Sequence, residues 1–178
     1  MQVGFKRTGE RQYAVCVRVP GRVEQWLNPA PGYDDDIPHD LVHYVVEAVL
    51  GFRAGVFGRA AAGGGTFVSA SSSASSTRER ARQRRKQQRR EGALGARDDA
   101  GEMRDSERLA GVCDVHFRRR HGQRPDPLRQ GPPPLSPGDA ARVESVVARL
   151  DVLAPLWRQV PIGGELRFVW PGVEPVIA

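Results

Sequence analysis

At 178 residues the chain is long enough for one domain and too short for two comfortable ones. It is 39% hydrophobic and 27% charged, with 20 Gly and 14 Pro, which suits a core built by part of the sequence and linkers in the rest. No apolar run reaches the roughly 18 residues of a membrane-spanning helix. Met1–Arg7 turns polar before a secretory h-region could form, and Cys16 and Cys113 lack any disulfide framework spacing. The expectation is a cytoplasmic protein with two reduced thiols and no membrane partner.

The net charge of +6 is unevenly placed. Between Thr77 and Arg90, eight cations (Arg78, Arg80, Arg82, Arg84, Arg85, Lys86, Arg89 and Arg90) face the single acid Glu79. That segment alone carries +7, so the rest of the chain sums to −1. Any attraction to polyanions is therefore expected to reside in one short stretch.

In chain order, Val3–Lys6, Tyr13–Val19 and Arg22–Leu27 read as strands of an antiparallel meander, with turns at Thr8–Glu10 and Pro20–Gly21. After Asn28–Gly32 breaks regular structure, a helix is expected from Asp36 or Ile37. Asp34, Asp35 and Asp36 offer capping oxygens, Pro38 suits the first turn, and Gly51 the stop. Leu41, Val42, Val45, Val46, Val49 and Leu50 give it a broad apolar face, so it is the expected centre of the core. The small-residue stretch from Gly51 to Gly65 is anchored by Phe52 and Phe57.

Residues 69–105, Ser/Ala-rich and then Arg-rich, have almost no large apolar side chains and are expected to be a disordered insert within the single domain. Order should return near Asp105–Ser106, where Leu109, Val112, Cys113, His116 and Phe117 recur at helical spacing up to Gly122. Ser136–Asp139 is a capping-box signature for a last helix bearing Val143, Val146, Val147, Leu150, Leu153 and Leu156, which Pro155 should kink or end. Gly164–Trp170 completes the pattern as a strand free to pair with the meander. Residues 1–68 and 106–178 thus form one α+β domain, a small antiparallel sheet packed with about three helices.

One constellation carries possible chemistry. His39 and His43 lie one turn apart on the first helix, the spacing by which H-E-x-x-H helices chelate zinc. Here Asp40 replaces the catalytic Glu and is one methylene shorter, which weakens a hydrolytic reading. Glu47 follows on the same side but lies about 12 Å from His39 along the axis. Asp40 and Glu47 are thus orienting groups, and no catalytic residue is assigned. Off-helix ligand candidates are Cys113, His116 and His121.

The stretch Tyr33–Glu47, with Gly55-Val56-Phe57-Gly58 after it, resembles a group of small bacterial proteins, many from high-GC actinobacteria, to which no activity is attached. The resemblance implies no function.

Three functions follow from these features. The first is a structural or protein-interaction module with an unidentified partner. The second is a protein binding zinc or another divalent metal at the H-D-x-x-H helix, with hydrolysis as a possible extension. The third is weak, sequence-tolerant nucleic-acid contact through the Arg-rich insert, which has no aromatic residue for base stacking.

Overall fold

The computed structural model describes residues 1–65, 67–69, 100–123 and 135–176. The expected disordered insert lies largely outside these residues, as do its cations from Arg78 to Arg90.

Strands β1 (Gln2–Gly9), β2 (Gln12–Arg18) and β3 (Gln25–Leu27) form the meander. They are followed by α1 (His39–Leu50), α2 (Val56–Ala62) and β4 (Val68–Ser69), then by α3 (Ala100–Arg120), α4 (Pro137–Gln159) and β5 (Glu165–Val169). The sheet is antiparallel in the order β4-β3-β2-β1-β5. The chain is therefore α+β, with its C-terminal strand on the outer side of β1, where Val3 pairs with Phe168.

Alternation places Val3 and Phe5 of β1 with Tyr13, Val15 and Val17 of β2 in the main core. Helices α1, α3 and α4 add Leu41, Val45, Leu109, Phe117, Val146, Leu150 and Trp157 to the same cluster. Phe5, Tyr44, Phe57 and Phe168 meet edge-on or tilted, at centroid separations from 4.9 to 6.1 Å. Among the described residues, no helix is long and apolar enough to cross a membrane.

Several boundaries differ from the sequence expectation, each for a physical reason. Helix α1 begins at His39, with Pro38 in extended conformation as its N-cap residue. The Asp34 side chain is spent earlier, its Oδ1 accepting the amides of Asp36 (2.9 Å) and Ile37 (3.2 Å). The amide of His39 instead donates to the carbonyl of Gly32.

Helix α3 begins at Ala100 rather than near Asp105, and its Glu102 accepts the amides of Arg53 (3.0 Å) and Ala54 (2.5 Å). Helix α4 keeps its expected cap, the Asp139 amide donating to Ser136 Oγ at 3.1 Å, but runs through Pro155 to Gln159. Trp157 holds that last turn: its ring is fully buried and its Nε1 donates to the Asp34 carbonyl at 3.2 Å. Leu156, expected inside, is 37% exposed, because the core stripe passes from Leu150 and Leu153 to Trp157.

The candidate site on helix α1

Helix α1 carries a histidine pair, His39 and His43, and one further turn along the acid Glu47. At the N-terminal end the Nε2 atoms of His39 and His43 lie 3.1 Å apart, with ring centroids at 4.6 Å and planes nearly perpendicular. That is hydrogen-bond distance, one ring nitrogen donating to the other, as an i, i+4 pair on a helix can. His43 is buried, His39 half-buried. Glu107 of α3 reaches the pair from the facing helix, its Oε2 lying 3.7 Å from His43 Nε2.

Asp40 sits beside the pair in sequence but faces another way. Its Oδ2 accepts the Tyr13 hydroxyl at 2.5 Å, and that hydroxyl also lies 2.5 Å from the carbonyl of Pro31. The contact joins α1 to β2 and to the loop before the helix. Burial raises the Asp40 carboxyl above its ordinary value, the Tyr13 hydrogen bond opposes that rise, and the charge of Glu107 adds to it.

The expectation for Glu47 needs correction in its surroundings. Expected from sequence to be an orienting group on the histidine side of the helix, it is fully buried. Its Oε1 accepts the amide of Val56 (2.7 Å) and the Ser106 hydroxyl (3.1 Å), while Oε2 accepts the amides of Phe57 (2.9 Å) and Gly58 (3.3 Å). Those amides form the first turn of α2, where Gly55 provides no side-chain cap. Glu47 is therefore a remote cap for α2, and its carboxylate is turned to that helix. A Cβ at Gly55 would stand 2.2 Å from the Glu47 carboxyl, so only glycine fits there. Burial pushes the Glu47 carboxyl up to about 7, against four hydrogen bonds that favour the charged form.

The off-helix candidates are dispersed. Cys113 is buried in the core, where desolvation pushes its thiol up to about 12, so it holds its proton at neutral pH. His121 is largely exposed at the end of α3, against Asp151 at 2.9 Å and the ring of Phe117. His116, on α3, is half-buried. Both cysteines are free thiols. Among the described residues, no group of three or more His, Cys, Asp or Glu side chains stands ready to hold a metal ion.

The triple aspartate, expected to cap α1, is instead part of a polar clasp. Asp34 meets Arg118 of α3 at 2.9 Å and Asp36 meets Arg158 of α4 at 2.7 Å, while Asp36 also accepts from Gln123. Tyr33 donates to Asp35 and accepts from Arg7 of β1. These contacts fix the loop that delivers His39 to the start of α1.

Sequence reasoning located the histidine pair but missed Glu107. The usable signal for Glu47 was an acid on an otherwise apolar helix, which must find internal hydrogen bonds once buried. No family model, no curated protein and no solved structure matches the chain.

Proposed function

We propose that this domain binds a divalent transition-metal ion, zinc being the best match, through His39 and His43. The observation that carries this is the 3.1 Å separation of the two Nε2 atoms. Two imidazole nitrogens each about 2.0–2.1 Å from one tetrahedral ion stand about 3.3–3.4 Å apart. The pair therefore already has nearly the spacing that joint ligation demands, on a helix whose packing fixes both Cα positions. Imidazole suits zinc, copper and nickel alike, and zinc's tolerance of varied ligand geometry favours it at a site that completes itself around the ion.

Asp40 argues for binding without hydrolysis. A zincin-like mechanism needs a carboxylate beside the metal-bound water, and the carboxyl of Asp40 is held by Tyr13 instead. The role that fits is a structural or regulatory ion within a small domain.

Calorimetric titration of the untagged protein with zinc tests this. One site per chain is expected in the wild type and none in His39→Ala or His43→Ala, with circular dichroism showing His39→Ala still folded. Absence of zinc binding by the wild type at neutral pH would overturn the proposal.

A further inference from the structure

Two histidines alone make a weak site for a divalent ion, because zinc in proteins ordinarily takes three or four protein ligands. An ion seated between the imidazoles would also bring two positive charges next to His43, which is only 4% exposed. Burying such a charge without an anion is costly. The surroundings of the pair should therefore supply a carboxylate able to reach it.

Glu107 meets that requirement. Its Oε2 is 3.7 Å from His43 Nε2, and its side chain is 58% exposed, so it keeps the rotamer freedom to turn. Its backbone, by contrast, is held in register with α1. The adjacent Ser106 donates to the buried Glu47 at 3.1 Å. Toward the start of α3, Glu102 accepts the amides of Arg53 and Ala54 just beyond α1. These contacts fix where α3 presents residue 107 to the imidazoles, while the carboxylate itself remains adjustable.

Resting on the metal-site reading of the histidine pair, we propose that Glu107 is the third protein ligand. The ion then joins α1 to α3. Its chemistry would be that of a His2Glu divalent site, with any remaining position open to water. An ion that binds only when α3 is docked must, by linkage, stabilise that docking. Metal would thereby control how firmly the first half of α3 is held.

The test uses the full untagged chain and zinc alone. Calorimetry and hydrogen exchange of the peptide spanning residues 100–107 are compared in the wild type, Glu107→Gln and, as a control for lost negative charge, Glu144→Gln on α4. Glu107→Gln is expected to fold normally, since its side chain is exposed, but to weaken zinc binding at least about tenfold, as even outer-shell changes can. It should also abolish the protection that zinc confers on residues 100–107, while Glu144→Gln changes neither readout. If the wild type binds zinc and Glu107→Gln binds it equally well, with the same protection, Glu107 is not a ligand although the histidine pair is. If the wild type binds no zinc, both readings fall together.

Discussion

The two ends of α1 contrast in what their polar groups do. At the C-terminal end Glu47 is fully buried and accepts four hydrogen bonds, three from amides of α2 and one from Ser106. Its whole capacity goes into folding. At the N-terminal end the Nε2 atoms of His39 and His43 face each other at 3.1 Å, next to the exposed carboxylate of Glu107. The comparison teaches that a polar row along one helix need not be one site. Glu47 serves the architecture, and the imidazole pair retains a geometry suited to a ligand.

The contrast can be broken most forcefully at Glu47. Glu47→Ala strips α2 of its cap, leaves its first-turn amides unsatisfied and opens a cavity, so it is expected to cost about 3 kcal/mol or more at pH 5 in denaturant unfolding. A loss below about 1 kcal/mol would show that α2 does not depend on this carboxylate. The same residue should make stability pH-dependent. Its carboxyl is raised from 4.5 in the unfolded chain to about 7 in the fold. Between these values the native state holds a proton that the unfolded state has released. Its stabilising contribution is therefore fully present below about pH 4.5 and is lost as pH rises through about 7. Unfolding free energies measured across that window should fall in the wild type, and Glu47→Gln should remove this component of the slope.

Smaller effects sharpen the other end. Tyr13→Phe removes the hydroxyl between Asp40 and the Pro31 carbonyl, and is expected to cost about 1–2 kcal/mol with zinc affinity unchanged. A coupled loss of zinc binding would bring Asp40 into the site after all. His39→Ala, at a half-buried position, should alter stability by less than about 1 kcal/mol in the absence of metal.

Much of this architecture was legible because local patterns agreed with the tertiary result. The meander, the apolar face of α1 and the Ser136 cap each arise from residues close in sequence. The histidine pair was legible for the same reason, since a one-turn spacing needs only a helix. Helix α2 was not. Seven residues, three of them Ala, are too few to stand on propensity, and the stabilising acid comes from the preceding helix. Glu107 was also hidden, because an exposed acid on a charged helix carries no mark until α3 is laid against α1. The turn after Pro155 persists through a tertiary contact, the burial of Trp157 against the Asp34 loop, that no local rule contains.

The most direct measurement is the metal content of the purified, untagged protein, by elemental analysis beside His39→Ala and His43→Ala. About one zinc or other divalent transition-metal ion per chain, lost in both variants, is the expected result. A wild type free of such metal, even after incubation with zinc and removal of the excess, would contradict the account and leave the imidazole pair as part of the packing between α1 and α3.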